Sequence, residues 1–192
     1  MISKRFTSFT LALLLVLGLT LSSGVAAELR YQRSVERYTV PDVELINQNG
    51  DRVALKALLE TEQPVIVDFI YGTCTTICPV LSAGFANFQR KMAKEGRSVR
   101  LISITIDPEH DTPQVMKEYL ERYRAQPGWD FLTGTRADID LVMTAFDAYI
   151  PDKMSHYPLN MLRNPKDGSW VRLFGIMSSK EFMAEYNQVT GP

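Results

Sequence analysis

The sequence contains few of the residues from which metal sites and disulfide scaffolds are usually built. Only two cysteines and two histidines occur among 192 residues. Cys74 and Cys78 lie four positions apart, so they can form a local chemical device but not a disulfide framework. Neither sign of charge dominates, because 21 basic residues stand against 22 acidic ones. The positive field needed to bind a run of phosphates is therefore missing, and we expect no nucleic acid among the partners.

The remaining composition is that of a folded domain. Hydrophobic residues make up 45% of the chain and charged residues 22%, with 11 Gly and 10 Pro. These values exclude a disordered tail and a collagen-like repeat. No internal repeat interrupts the sequence, and we predict one globular domain over residues 39–192.

Residues 1–27 have the pattern of an export signal. Lys4 and Arg5 supply a positive start, residues 9–21 an apolar core, and residues 25–27 (VAA) a small-residue cleavage site. The apolar core is shorter than the ~20 residues of a spanning helix, so cleavage is favoured over retention as a membrane anchor. Either outcome predicts an exported domain, in the periplasm or on the outer face of the inner membrane, where conditions are oxidising.

The order of secondary structure predicts a thioredoxin-like α/β fold. Residues 28–38 are polar and predict a flexible lead-in, and a β-hairpin is expected around residues 43–55. Residues 65–71 and 99–106 are near-continuous apolar runs, which predict strands of a central mixed sheet with helices on both faces. Proline in the first turn or a capping residue predicts the start of each later helix, at Pro79, Pro113, Thr135 and Ser178.

The cysteine pair stands where a strand ends and a helix begins. Unpaired N–H groups and the positive end of the helix dipole favour the thiolate there, as metal binding and disulfide exchange both require. A structural disulfide is the weakest interpretation, because closing so short a loop contributes only about 2 kcal/mol. A thiol-disulfide oxidoreductase or peroxide reductase would use Cys74 as the attacking thiol. The usual motif has two intervening residues, however, and the three found here favour a soft metal such as copper.

A third ligand for such a metal must come from elsewhere in the chain. His110 lies among acidic and turn-forming residues, and we expect it to be a solvated loop side chain. His156 precedes a late strand, and the thioredoxin-like order brings that loop close to the first helix start, so His156 is the better candidate. Three methionines are soft enough to touch Cu(I), although packing is their more common role: Met154, Met161 and Met177.

Several stretches of this sequence resemble the SCO/SenC family of copper-binding, thioredoxin-like proteins. They are residues 74–79 (CTTICP), 103–113 (SITIDPEHDTP), 131–135 (FLTGT), and His156 followed by a strand and Phe174-Gly175. The resemblance covers residues 39–190. It implies that Cys74, Cys78 and His156 bind copper and that Asp107 supports the site or docks a partner without binding the metal directly.

The resemblance also implies a function. Family members deliver copper to the dinuclear copper centre of cytochrome c oxidase, or maintain the thiols of that centre. The implied partners are a copper-receiving oxidase subunit or other cuproprotein and a thioredoxin-like reductant. We expect a carrier with little or no turnover, although thiol-disulfide reductase activity stays open. Ser155 departs from the family, whose members commonly have Asp immediately before the ligand histidine, so copper affinity or the choice of recipient is expected to differ.

Overall fold

A computed structural model describes residues 31–191, which form one eight-stranded sheet and five α-helices. The strands are β1 (Tyr31–Glu36), β2 (Glu44–Asn47), β3 (Arg52–Ala54), β4 (Val65–Ile70), β5 (Arg100–Thr105), β6 (Trp129–Thr133), β7 (Leu159–Arg163) and β8 (Trp170–Gly175). The helices are α1 (Leu55–Leu59), α2 (Cys78–Lys94), α3 (Pro113–Tyr123), α4 (Arg136–Ala145) and α5 (Ser179–Thr190).

The sheet is mixed, as the sequence predicts. Its strand order is β1-β8-β7-β4-β5-β6-β2-β3. Strands β4, β5 and β6 are parallel to one another. All other pairs of neighbouring strands, including β4 and β7, are antiparallel. The thioredoxin-like α/β class is confirmed, and the predicted N-terminal hairpin forms as β2 and β3 beside β6.

The helices begin where their capping residues predict. The Thr112, Thr135 and Ser178 side chains each accept a hydrogen bond from a backbone N–H in the first turn of the following helix. Ser178 and Glu181 form a complete capping box. Helix α2 has no side-chain cap, and its start is fixed by Pro79 in the first turn. These helices therefore confirm the predicted starts.

The two central strands are covered on both faces. Every residue of β4 is buried, as are five of the six residues of β5. Phe69 contacts Phe146 at the end of α4, while its neighbour Asp68 lies on the side of Cys78 at the start of α2. Because successive strand residues point to opposite faces, α2 and α4 pack on opposite sides of the sheet.

The expected flexible lead-in over residues 28–38 is wrong for its central part, since residues 31–36 form β1. This strand pairs with β8 along its whole length. Tyr31 Oη donates to Glu185 Oε1 at 2.6 Å, and Arg33 Nε donates to Glu185 Oε2 at 2.9 Å, so a buried carboxylate of α5 anchors the strand. The polar composition of this segment did not indicate a flexible lead-in, because an edge strand exposes most of its side chains.

The predicted export segment, residues 1–27, lies outside the described residues. Within residues 31–191, none of the helices combines the length and the apolar character that crossing a membrane requires.

Candidate metal site

Two distant parts of the chain meet at one edge of the sheet. Strand β4 ends at Ile70, and the following turn leads through Cys74 to Cys78, the first residue of α2. His156 follows a short 3-10 turn (Lys153–Ser155) and precedes β7. Because β7 runs antiparallel beside β4, the start of β7 and the end of β4 lie at the same edge. One ligand atom from each of Cys74, Cys78 and His156 lies within 4.8 Å of the other two.

A buried aspartate holds the turn that precedes Cys74. Both carboxylate oxygens of Asp111 accept hydrogen bonds from the Gly72 backbone N–H, at 3.0 and 3.1 Å. The Thr105 hydroxyl donates to the same carboxylate at 2.5 Å. A Cβ atom at Gly72 would lie 2.7 Å from Asp111 Oδ1, so only glycine fits this close approach. No signal in the sequence indicated this role of Asp111, because the contact joins the loop after β5 to the turn after β4, 39 positions away.

The two thiols differ strongly in acidity. Burial raises the pKa of both, but at Cys74 hydrogen bonds from the Cys78 thiol, the Cys78 N–H and Thr76 outweigh it and lower the pKa to about 7. The Cys78 N–H lies 3.4 Å from Cys74 Sγ. At Cys78, burial and the hydrogen bond to Cys74 both raise the pKa well above its usual value. At neutral pH about half of the Cys74 thiols are therefore ionised, whereas Cys78 stays a thiol.

The surroundings of His156 make its imidazole a ready ligand. His156 Nε2 lies 2.5 Å from the Phe69 carbonyl oxygen, which can only accept, so Nε2 carries the hydrogen. The lone pair is left on Nδ1, 3.7 Å from Cys78 Sγ. Burial lowers the pKa of His156, and the hydrogen bond to Phe69 offsets part of that effect. The ring is therefore neutral at physiological pH, as metal binding requires.

The loop that carries His156 is tied to the loop after β5. Lys153 Nζ donates to Asp107 Oδ2 at 2.5 Å, and His110 Nδ1 lies 2.9 Å from Asp107 Oδ1. The Lys153 ammonium also lies 5.6 Å from the centroid of the Tyr71 ring. Asp107 is buried, and through Lys153 it ties the loop of His156 to the loop after β5. His110, with 63% of its side chain exposed, lies outside the three-residue cluster, and Ser155 is exposed within the 3-10 turn.

A third buried carboxyl group, that of Asp68, lies near Cys78. Asp68 of β4 is fully buried on the α2 side of the sheet, opposite Asn160 of β7. Neither carboxyl oxygen of Asp68 nor either amide atom of Asn160 has a hydrogen-bond partner in the described part of the chain. Burial raises the pKa of Asp68 to about 7, and the neighbouring Ser103 hydroxyl offsets only part of that rise. An aspartate within an apolar strand was a sequence signal that our reasoning missed.

The donor set defines the kind of site. Two thiolates and one neutral imidazole suit a soft ion such as Cu(I), and the imidazole lets the same set hold Cu(II). Structural zinc sites usually have four protein ligands, whereas the candidate cluster found in residues 31–191 has three. The fold and the site together define a thioredoxin-like protein with a candidate Cys₂His metal centre at the edge of its sheet.

Comparison with known sequences assigns the family. The SCO1/SenC family model matches residues 32–188, and the chain belongs to this family. The chain is 38% identical to the SCO1 protein homolog of Bacillus subtilis over 98 residues, half of each chain. It is 30% identical to the protein SenC of Rhodobacter capsulatus over 123 residues, 64% of this chain and 49% of that one. The chain thus spans about half the length of these curated relatives.

Solved structures agree with the family. BsSco, described as a member of the Sco family of cytochrome c oxidase assembly proteins and studied for a disulfide switch, superposes with a TM-score of 0.69 at 27% identity. That match covers 85% of this chain and 99% of BsSco. Copper-bound ScoI of Bradyrhizobium japonicum has a TM-score of 0.63 at 30% identity, covering 79% of this chain and 99% of that one.

Proposed function

We propose that this protein is a copper metallochaperone that binds Cu(I) and Cu(II) through Cys74, Cys78 and His156. The observation that carries this proposal is the meeting of two thiol sulfurs and one imidazole nitrogen within 4.8 Å, from parts of the chain about 80 residues apart. The copper found in ScoI supports the choice of metal. The description of BsSco as a cytochrome c oxidase assembly protein supports delivery to, or maintenance of the thiols of, the copper centre of a respiratory oxidase.

The protonation states of the three ligands explain how copper would bind. Cys74 is already about half thiolate near pH 7, and His156 is neutral with its Nδ1 lone pair directed at the cysteine pair, 3.7 Å from Cys78 Sγ. Cys78 must lose its proton and Cys74 the roughly half proton that it still holds, so at pH 7 copper binding releases between about one and two protons per ion. With Cu(I), two thiolates and a neutral imidazole carry a net charge of −1, which the N-terminus of α2 stabilises.

Delivery proceeds by ligand exchange, in which the thiolates or imidazoles of the recipient replace these ligands one at a time. The recipient is an oxidase subunit or another cuproprotein, and a thioredoxin-like partner keeps Cys74 and Cys78 reduced. The export signal at residues 1–27 supports a periplasmic location or attachment to the outer face of the inner membrane. In the oxidising conditions there, such a reductant is needed because free neighbouring thiols form a disulfide.

A metal-independent thiol-disulfide oxidoreductase is the second candidate. The unequal thiols favour it, because a low-pKa Cys74 would attack a disulfide and the buried Cys78 would resolve the mixed disulfide. His156 distinguishes the two functions. His156→Ala should weaken Cu(II) binding at least about tenfold in a carrier, whereas the rate of thiol exchange in an oxidoreductase should change less than about twofold.

Copper retention by the reduced protein tests the proposal. After anaerobic loading with one equivalent of copper and gel filtration, we expect wild type to retain one copper ion per chain. Cys74→Ser and Cys78→Ser should each retain almost none, and His156→Ala should lose Cu(II) to a competing chelator far sooner. His110→Ala is the matched control and should behave as wild type. Failure of the wild-type protein to retain copper in either oxidation state would overturn the proposal.

A further inference from the structure

One methionine near the candidate metal site is exposed to an unusual extent. Met154 lies two residues before His156, in the 3-10 turn that carries this ligand, and 75% of its surface is accessible. Met161 and Met177, the other two candidates, are 0% and 5% exposed and belong to the core. Exposing a large apolar side chain forgoes the favourable free energy of burial, so packing does not account for the position of Met154.

Tyr71 holds the Met154 sulfur on the side of the cysteine pair. The Tyr71 hydroxyl donates to Met154 Sδ at 3.9 Å and also interacts with the Cys74 thiol. The Tyr71 and His156 rings are nearly perpendicular, with 6.1 Å between their centroids. The Tyr71 side chain therefore lies next to the thioether and the imidazole and is close enough to the Cys74 thiol to interact with it.

The thioether and the imidazole differ in the copper ion that they select. A thioether is a soft ligand that prefers Cu(I), whereas an imidazole accepts both oxidation states. Met154 also has three rotatable side-chain bonds and little packing to lose, so its sulfur can move toward the thiolates at low cost. A change of oxidation state would then change which of the two neighbouring ligands is preferred.

We propose that Met154 is a Cu(I) ligand, which replaces His156 beside the thiolates of Cys74 and Cys78. This inference rests on the proposed copper-carrier function. In the exchange the bond from Cu(I) to His156 Nδ1 breaks and a bond from Cu(I) to Met154 Sδ forms. No electron or proton moves, because the thioether and the imidazole are both neutral and the net charge stays at −1.

The exchange gives Met154 a role in delivery. The imidazole is half-buried and tied to the Phe69 carbonyl, so copper held by His156 stays at the inner side of the site. Copper held by Met154 lies toward the exposed turn, where the thiolates of a recipient can reach it. Cu(II) stays bound to His156. Cu(I) moves to Met154 at the surface, where it is transferred to the recipient.

A double-mutant cycle measures the alternation between the two ligands. Cu(I) affinity is determined by competition with a chromophoric chelator for wild type, Met154→Leu, His156→Ala and the double variant. We expect Met154→Leu to weaken Cu(I) binding about tenfold, His156→Ala by much less than about twofold, and the double variant at least about a hundredfold, since only the double variant lacks both alternatives. Cu(II) binding should fall with His156→Ala and stay unchanged in Met154→Leu. Met177→Leu, a buried swap of similar volume, is the control.

Selenium absorption spectroscopy tests the bond itself. Selenomethionine-labelled protein loaded with Cu(I) should show a copper neighbour around selenium, and labelled Met154→Leu should not. Wild-type Cu(I) affinity in Met154→Leu, together with no copper around selenium, would overturn the Met154 assignment while leaving the carrier function intact. Absence of copper retention in wild type would instead overturn the carrier function, and the Met154 proposal with it.

Discussion

At the scale of single residues, the thiols of Cys74 and Cys78 lie four positions apart but have pKa values shifted in opposite directions. Cys74 lies in the turn, where backbone and side-chain hydrogen bonds lower the pKa of its thiol to about 7. Cys78 is 0% exposed at the start of α2, and burial keeps its thiol protonated. The helix start acts on both residues, so their difference arises from burial and from which thiol donates to the other.

Alkylation of the reduced, metal-free protein measures this difference. The rate at Cys74 should rise with pH and reach half its maximum near pH 7, because the thiolate is the nucleophile and its fraction falls about tenfold for each unit below the pKa. Cys78 should react little up to pH 8. Its rate is measured separately in Cys74→Ser, where Cys78 is the remaining cysteine. Mass spectrometry of iodoacetamide-treated protein gives both rates, and a Cys74 midpoint near the ordinary value of about 8.5 would contradict the account.

Asp68 should make the stability of the protein depend on pH. Its pKa is raised from 3.8 to about 7, so the folded state binds the extra proton between these values and stability falls as pH rises through that window. Asp68→Asn, which keeps the shape and removes the charge, should raise the free energy of unfolding at pH 8 by on the order of 3 kcal/mol relative to wild type. At pH 4 the two proteins should be nearly equal. Urea denaturation at both pH values checks this, and an equal difference at both would contradict it.

At the scale of elements, the turn that carries His156 depends on one ion pair. Lys153 reaches from the 3-10 turn to Asp107 at the end of β5, and the turn itself is closed by backbone hydrogen bonds from Ser155 and His156. The pair is only partly buried, so we expect it to contribute little to global stability. Its effect is local, because it limits how far the imidazole can move from the thiols.

Lys153→Met tests the ion pair. This variant keeps most of the side-chain length and removes the charge, so amide hydrogen exchange at residues 153–157 should quicken and Cu(II) affinity should fall about threefold to tenfold. The free energy of unfolding should change by about 1 kcal/mol or less. Glu44→Gln, which removes the exposed Arg52–Glu44 pair of the hairpin, is the control and should change neither readout. Unaltered exchange and affinity in Lys153→Met would show that the turn is held by other contacts.

The elements also show how far the sequence could predict the fold. Helices α2 to α5 were predictable because each start has a local cap or proline, and β4 and β5 because both of their faces are buried. Strand β1 was not, since it is an edge strand anchored by Tyr31 to Glu185, 154 positions away. A single sequence contains no local signal for a contact of that range.

At the scale of the whole molecule, topology brings the candidate ligands together. The positions of Cys74 and Cys78 followed from the strand-to-helix junction alone. His156 could be proposed only through the order of strands, which sets the start of β7 beside the end of β4. The bond from Gly72 to Asp111 and the contact between Tyr71 and Met154 depend on which side chains meet across loops. Periodicity and spacing in the sequence carry no such information.

The central claim is that copper is held where Cys74, Cys78 and His156 meet. X-ray absorption at the copper edge of the Cu(II)-loaded full chain tests it most directly. The account predicts two sulfur ligands and one imidazole nitrogen, with the imidazole signal lost in His156→Ala and the sulfur signal retained. A spectrum without sulfur ligands, or an imidazole signal that survives in His156→Ala, would contradict it.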